Sequence, residues 1–224
     1  MTYRLYLSTN TYALTVQALM EDMGLDHELV WVDIFQDTPD EDLLKVSPHS
    51  RVPALNADGT VLFETGAIAL WLAEQHGDGD YLIPPGDPRR GIFLQWFHYL
   101  ATTLQPDVMM QFHPESYAAD DATQARLREA AFGRLDKVFR TLDDALADGP
   151  WFFGDTITVL DFLLGMQATW PEIYPETIHA YPNLTRHQQA LLERPSVQRV
   201  FGIHRETMRG NGEELVLAME PAGW

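Results

Sequence analysis

The chain has 224 residues, with 33 acidic against 15 basic side chains and a formal net charge of −18, which argues against binding to nucleic acid or to an anionic membrane surface. The length predicts one or two domains, and 46% hydrophobic residues are enough for packed cores rather than intrinsic disorder. There is no cysteine, so sulfur chemistry at this protein would need a thiol that a ligand supplies.

Strand and helix signals alternate at the start of the chain. Residues 5–7 predict a first strand, and a polar turn at 8–11 follows it. Apolar residues at helical spacing over 16–23 predict the first helix, and Gly24 stands where a C-terminal cap glycine belongs. The β-branched and aromatic residues at 29–32 predict a buried second strand.

The next segments complete a small α/β unit. Residues 40–46 predict a short acidic helix, which Ser47-Pro48 ends. Two short strands at 52–55 and 61–63 flank the turn pair Asp58-Gly59, and a helix follows the second strand. The order β-α-β-α-β-β-α predicts a small mixed sheet with helices on its faces.

Strand signals stop after a stretch rich in Gly, Pro and Asp at 77–88, and apolar residues then recur at helical spacing. We therefore expect an α/β domain at 1–78, a linker at 79–88 and an all-helical domain at 89–224. No uncharged apolar run approaches the roughly 18 residues of a membrane span, and no signal peptide is recognised. The expected location is therefore the cytoplasm.

Three motifs carry a resemblance to a known family. The first is Ser47-Pro48-His49-Ser50-Arg51-Val52-Pro53-Ala54-Leu55, and the second is Phe63-Glu64-Thr65-Gly66-Ala67-Ile68. Together they resemble the glutathione site of the glutathione transferase superfamily, of the bacterial cytosolic type. The third motif, from Thr158 to Asp161, is similar to the capping box of that family's helical domain, where its role is structural. The resemblance covers most of the chain.

The resemblance implies a thioredoxin-like N-terminal domain followed by a helical-bundle C-terminal domain. It also implies an enzyme of detoxification that activates glutathione, its co-substrate, as a thiolate for attack on a small hydrophobic electrophile. The family is usually homodimeric. Two alternatives stay open: a glutathione-dependent disulfide or peroxide reductase that uses the same site, and a non-catalytic binding or regulatory protein of the same fold.

The resemblance assigns glutathione binding to six residues, namely His49, Arg51, Val52, Pro53, Glu64 and Thr65. A cis peptide bond is nearly confined to X-Pro steps, and at Val52-Pro53 it would turn the Val52 backbone outward to pair with an extended peptide ligand. Glu64 can pair with an ammonium group, while Thr65 and a helix N-terminus can hold a carboxylate. The alternatives are that Pro53 begins an edge strand and that Glu64-Thr65 only begin a helix.

In this family the sulfur of glutathione lies near the turn between the first strand and the first helix, here 8–13. Alignment on Gly24 places the serine of serine-type classes near Asn10 and the cysteine of the beta class on Tyr12. Both side chains can donate a hydrogen bond that favours the thiolate, and we expect Tyr12 to be the main donor, with Asn10 next. Core packing is the alternative for Tyr12, and it is the role expected for Tyr6.

Two positions depart from the family pattern. Asp37 stands near the place where beta-like members carry a lysine for the glycine carboxylate. Arg51 stands where glutamine is common in the family. The guanidinium of Arg51 can replace the glutamine side chain, because a guanidinium binds carboxylates in a bidentate fork. Glutathione is anionic and this chain is acidic, so the ligand needs local cations, and His49 and Arg51 are the nearest candidates.

An electrophile pocket would lie against the helical domain, where apolar, aromatic and polar side chains follow one helix and its end. They are Tyr99, Thr102, Pro106, Met109, Met110, Phe112, His113 and Tyr117. Core packing is the alternative for this set. No metal site is expected, because His98 and His113 have no further ligand at a diagnostic spacing.

Overall fold

The computed structural model describes residues 2–36, 38, 40–77 and 79–220. Within them, one mixed sheet of four strands is followed by a helical region, as the sequence predicted. The strands are β1 (Tyr3–Leu7), β2 (His27–Trp31), β3 (Ala54–Ala57) and β4 (Thr60–Phe63). The helices are α1 (Ala13–Asp22), α2 (Glu41–Val46), α3 (Thr65–His76), α4 (Arg90–Tyr99), α5 (Gln105–Phe112), α6 (Asp121–Ala145), α7 (Val159–Gln167), α8 (Pro182–Leu192) and α9 (Pro195–Gly210).

The sheet has the strand order β2-β1-β3-β4. β1 is parallel to β2 and antiparallel to β3, and β3 is antiparallel to β4. The predicted hairpin turn is confirmed, since φ is +48° at Asp58 and +93° at Gly59, the left-handed values that a tight hairpin requires. Gly24 has a φ of +66° just after α1, as expected of a helix-ending glycine.

Burial of the second strand is a correction to the sequence prediction. The run at 29–32 predicted a buried strand, but β2 lies at the edge of the sheet and its residues are half-buried or exposed, with Trp31 39% exposed. A short apolar run indicates a strand and cannot indicate the position of that strand in the sheet. An edge strand has only one neighbouring strand, so more of its surface stays accessible to solvent.

The two faces of the sheet carry different helices. Tyr3 of β1 contacts His76 of α3 through a hydrogen bond of 2.5 Å, so α3 lies on the face of the sheet to which the Tyr3 side chain points. The Tyr6 ring lies on the opposite face and is 4% exposed, in a cluster with Leu43 and Val46 of α2. The predicted packing role of Tyr6 is therefore confirmed, and its place in this core also holds the register of β1.

The described residues form two compact units, and their boundary after Leu82 falls inside the predicted linker. The first unit contains 2–82 and also 192–215, whereas the second contains 83–191 and 216–220. Helix α9 thus belongs to the unit of the sheet, although the sequence assigned it to the helical domain. No helix in the described part of the chain is long and apolar enough to cross a membrane.

The capping box in the second unit is confirmed. The hydroxyl of Thr158 accepts the Leu160 amide at 3.3 Å, and the carboxylate of Asp161 accepts the Thr158 amide at 2.7 Å. The other carboxylate oxygen of Asp161 accepts the Phe152 amide at 3.0 Å, and the whole side chain is buried. These bonds satisfy amides that α7 would otherwise leave unpaired, so the motif is structural.

A buried carboxylate fastens α9 to α1 within the first unit. Asp22, at the end of α1, accepts hydrogen bonds from Arg194 at 2.6 Å, Ser196 at 2.5 Å and Tyr81 at 2.8 Å. Burial by itself would raise the pKa of Asp22, but the hydrogen bonds from these three side chains and the positive charge of Arg194 outweigh it and hold the pKa below its usual range. The ionised carboxylate therefore stabilises the folded unit.

Replacement of this carboxylate should destabilise the protein in a pH-dependent way. Asp22→Asn should lower the free energy of unfolding by about 1.5–3 kcal/mol at pH 7, the range for a hydrogen bond to a charged group. Because the folded pKa is depressed, the contribution is present above the ordinary pKa of about 3.8 and is lost as the pH falls through the folded value. Urea unfolding at pH 7 and below pH 3.8 measures both effects.

The matched control is Asp26→Asn, because Asp26 is exposed four residues further along the chain and should change stability by less than about 0.5 kcal/mol. Equal losses in the two variants, or a loss at Asp22 that does not shrink in acid, would contradict the role of this carboxylate.

Candidate functional site

The register of the strands brings several predicted site residues to one edge of the sheet. Tyr6 in β1 is paired with Ala54, the first residue of β3, and Ala54 is paired with Phe63, the last residue of β4. The turn after β1, the Val52-Pro53 step before β3 and Glu64 after β4 therefore follow one another along this edge. Neighbouring strands lie about 4.8 Å apart, so the row from β1 to β4 spans about 10 Å.

Backbone groups are open at the centre of this row. The predicted cis peptide bond between Val52 and Pro53 is confirmed. Among the described residues, the Val52 amide has no hydrogen-bond partner, and Val52 is half-buried while Pro53 is buried. The pairing of β3 begins only at Ala54. The Val52 backbone can therefore pair with an extended ligand, as an added strand would.

Glu64 holds an uncommon backbone conformation at one end of the row. Its φ of +75° and ψ of +114° lie outside the regions that a non-glycine residue normally adopts, at a cost of about 1–3 kcal/mol. Its side chain is exposed and does not cap α3, which argues against an ordinary helix-start role. Thr65 follows as the first helical residue and is 7% exposed.

The turn after β1 forms the other end of the row. The hydroxyl of Thr11 donates to the Ser8 carbonyl at 2.8 Å, and Asn10 has a φ of +50°, a left-handed value that asparagine tolerates. Tyr12 is half-buried and stands at the start of α1. The phenol is protonated at neutral pH and can donate a hydrogen bond, and burial raises its pKa further, well above the usual 10.

Helices α1 and α3 both begin at this edge without a side-chain cap. By contrast, Asp40 caps α2 by accepting the amides of Asp42 at 2.8 Å and Leu43 at 2.9 Å. Both starts present the positive end of a helix dipole to an anion, although at α1 the amides of Leu14 and Thr15 already donate to the carbonyls of Thr11 at 3.1 Å and Tyr12 at 3.2 Å. A negatively charged ligand can therefore find donors at both ends of the row.

Sequence reasoning missed two aromatic side chains beside the turn, namely His204 of α9 and Trp31 of β2. His204 is fully buried; its Nδ1 accepts the Asn10 amide at 3.3 Å, and its Nε2 donates to Oε1 of Gln17 at 2.9 Å. The Trp31 ring meets the imidazole edge-on, with 5.1 Å between ring centroids. Burial lowers the pKa of His204 to about 4, so the imidazole is neutral at pH 7.

The sequence contained only one signal for His204. It follows Val197, Val200 and Phe201 at the spacing i, i+3, i+4 and i+7, so a polar ring stands on the apolar face of α9. That pattern predicts burial, but it cannot identify the partner, because the turn and α9 are about 190 residues apart in the chain.

Two basic residues, His49 and Arg51, lie in the loop that leads into β3. His49 and Arg51 are exposed, and the guanidinium of Arg51 has no partner among the described residues. The Arg51 amide donates to the Ser47 hydroxyl at 3.1 Å, which fixes the backbone of this loop. Lys45 is engaged with Asp42 at 2.5 Å, and Asp37 lies outside the described residues.

The residues predicted for an electrophile pocket lie in the second unit, along α4, α5 and the segment between them, except that His113 and Tyr117 follow the end of α5. That segment, Leu100–Leu104, is π-helical, and π-helical turns frequently occur at functional sites. Met109, Met110 and Phe112 of α5 are half-buried, so each keeps some apolar surface that a ligand could contact. A salt bridge of 2.7 Å between Asp107 and Arg134 holds α5 against α6.

Comparison with known protein families finds two matches along the chain. Residues 11–75 match the family described as "Glutathione S-transferase, N-terminal domain", and residues 106–195 match "Glutathione S-transferase, C-terminal domain". The two matches follow the order of the sheet-containing and the helical regions.

Individual proteins agree with the family matches. Glutathione S-transferase hmp2 of Hypomyces subiculosus is 31% identical over 198 residues, which cover 83% of this chain and 91% of hmp2. The disulfide-bond oxidoreductase YfcG of Escherichia coli K12 is 26% identical over 207 residues, 86% of this chain and 91% of YfcG. A sphingomonad glutathione S-transferase, solved in complex with glutathione, is 27% identical to this chain and superposes on it with a TM-score of 0.76. The match covers 90% of this chain and 98% of the sphingomonad chain.

Proposed function

This chain belongs to the glutathione S-transferase superfamily, and we propose that it is a transferase that binds glutathione along the sheet edge and adds its thiol to a small hydrophobic electrophile. One observation carries the proposal. Glu64 keeps a costly backbone conformation while its side chain stays exposed and caps nothing, about one strand spacing from the open amide of Val52. The Glu64 carboxylate and the Val52 amide together suit a peptide ligand whose amino-acid end carries a positive charge.

Glutathione has the right charges for this row. Its γ-glutamyl end presents an ammonium, which Glu64 pairs with, and a carboxylate, which accepts from Thr65 and the first amides of α3. The central backbone of the ligand pairs with Val52 beside Pro53. Arg51, exposed in the preceding loop, supplies positive charge for the glycine carboxylate, and the neighbouring His49 supplies a ring N–H donor.

This arrangement leaves the thiol at the turn before α1. A free thiol of pKa about 8.5 is mostly protonated at pH 7, so activation requires groups that stabilise the thiolate. The uncapped start of α1 supplies a positive dipole end, and Tyr12 supplies a hydroxyl that stays protonated. Asn10 supplies a second donor. The thiolate then adds to the electrophilic carbon of the substrate: the carbon–sulfur bond forms as a π bond of the substrate breaks, and the displaced electron pair takes up a proton from water.

A second candidate function is glutathione-dependent reduction of disulfides. It is favoured by the likeness to YfcG, which is named a disulfide-bond oxidoreductase, and it would use the same thiolate. Turnover of a small disulfide that exceeds turnover of a generic electrophile would favour this reaction. A location in the cytoplasm and a role in detoxification stay predictions from the sequence.

Glutathione binding tests the proposal directly. At 100 times the dissociation constant, glutathione should stabilise the protein by about 2.7 kcal/mol. Glu64→Gln should weaken binding by about tenfold to a hundredfold, because it removes the negative charge from the acceptor of the ammonium group. Thermal shift and calorimetric titration measure both quantities. Glu74→Gln on the same helix is the control and should bind as the wild type does; equal affinity in all three proteins would refute the role of Glu64.

The thiol donors can be separated by titrating the thiolate absorbance of bound glutathione. Tyr12→Phe keeps the ring and removes one donor, so it should raise the thiol pKa by about one to two units and leave glutathione affinity nearly unchanged. Turnover at neutral pH should fall by about tenfold to a hundredfold. A shift in Asn10→Ala but not in Tyr12→Phe would assign the role to Asn10, and no shift in either would leave the amides of α1 as the only donors.

We also propose a homodimer, supported by apolar surface on β4. Val61 and Phe63 are 41% and 44% exposed on the same face of this edge strand, an arrangement that invites burial against a partner. Sedimentation equilibrium should give about twice the chain mass of 25.5 kDa. Val61→Lys should shift the equilibrium toward monomer, whereas Thr60→Lys, on the other face, should not; a wild-type monomer at micromolar concentration would contradict the dimer.

A further inference from the structure

A buried polar ring beside the thiol turn has no part in the function proposed so far. His204 comes from α9, 194 residues after Asn10, and bonds to the backbone amide of Asn10 rather than to any side chain of the turn. We infer that His204 is a positioning residue, which holds the Asn10 turn in the conformation that donates to the thiol. The inference rests on the proposed function, because it assumes that a thiol binds there.

The hydrogen bonds define the protonation of the imidazole. A backbone amide can only donate, so Nδ1 of His204 must be unprotonated to accept from Asn10. The proton of a neutral ring is then on Nε2, and this nitrogen faces Oε1 of Gln17 at 2.9 Å, which can only accept. Both contacts therefore require the same tautomer. Burial lowers the pKa of His204 to about 4, which keeps the ring in this neutral form at working pH.

The hydrogen bond to His204 supports the conformation of the turn. Asn10 has a φ of +50°, which a non-glycine residue adopts only at some energetic cost. The bond from its amide to His204 stabilises that conformation over the extended alternative. Trp31 meets the imidazole edge-on at 5.1 Å and limits rotation of the ring. The position of the amide is thus defined by a rigid acceptor.

Packing alone does not explain a histidine at this position. His204 continues the apolar stripe of Val197, Val200 and Phe201, where a leucine would bury as much surface without the cost of a polar ring. Burying an imidazole is tolerated when both nitrogens are hydrogen-bonded, as they are here. The acceptor for Asn10 is what the histidine adds.

Two variants of His204 separate positioning from packing. In His204→Asn, the side-chain oxygen can occupy the place of Nδ1 and still accept from Asn10. In His204→Gln, the longer amide reaches the place of Nε2, so it keeps the bond to Gln17 and loses the one to Asn10. A purely structural role predicts similar effects of both, whereas positioning predicts that only His204→Gln impairs activation of the thiol.

The readout is the pKa of the bound glutathione thiol, followed by its thiolate absorbance, together with kcat and KM for glutathione. His204→Gln should raise the thiol pKa by about 0.5–1 unit and lower kcat by roughly three- to tenfold, with KM within about twofold of the wild type. His204→Asn should stay close to the wild type. Equal effects of the two variants, or none in either, would overturn the inference while leaving the proposed function in place.

A measurement on the wild-type protein keeps the inference falsifiable if the variants do not fold. With 15N-labelled histidine, the ring of His204 should be neutral from pH 5 to 8, with the proton on Nε2. A proton on Nδ1 would overturn the inference, because this nitrogen could then not accept the Asn10 amide. Wild-type protein that binds no glutathione, or leaves its thiol pKa unchanged, would instead refute the proposed function and the inference with it.

Discussion

The register between β1 and β3 is the constraint on which the candidate site depends. Pairing of Tyr6 with Ala54 keeps the end of β1 beside the start of β3, and the pairing of Ala54 with Phe63 adds the end of β4. A slip of one residue would turn the Tyr6 ring to the opposite face and move Val52 along the turn. The Tyr6 ring is held by the cluster with Leu43, so core packing defines the geometry of the ligand edge.

The electrostatics of this edge differ from those of the chain as a whole. A net charge of −18 would repel an anionic ligand, but the edge offers it neutral donors, two helix starts and the guanidinium of Arg51, together with the carboxylate of Glu64. Burial raises the pKa of Tyr12, whose phenol is neutral at pH 7 in any case, and lowers the pKa of His204 to about 4. In both side chains burial therefore favours the neutral form, and the neutral imidazole accepts the Asn10 amide at Nδ1.

The last helix stabilises the first turn of the site. Asp22 bonds to Arg194 and Ser196 at the start of α9, and His204 bonds to Gln17 and Asn10 about two and a half turns further along. These contacts connect α1 to a helix that is remote in the chain. A change in α9 can therefore alter the geometry at the start of α1 without touching a bound ligand.

The sequence by itself determined the elements and the local chemistry. Periodicity predicted the order of strands and helices, Asp58-Gly59 predicted the hairpin, Val52-Pro53 predicted a cis bond, and Thr158 with Asp161 predicted a capping box. Each of these features depends on interactions between residues that are near one another in the chain. The roles of Glu64 and Tyr12 in binding and activation stay predictions.

Only the tertiary structure decided which remote segments meet. It placed β2 at the edge of the sheet, although residues 29–32 predicted a buried strand. It grouped α9 with the unit that contains the sheet, although the sequence placed this helix in the helical domain. It also brought His204 to Asn10 and Trp31 to His204. The physical reason is that the apolar pattern of a helix or strand specifies which face is buried, but not which distant surface will cover it.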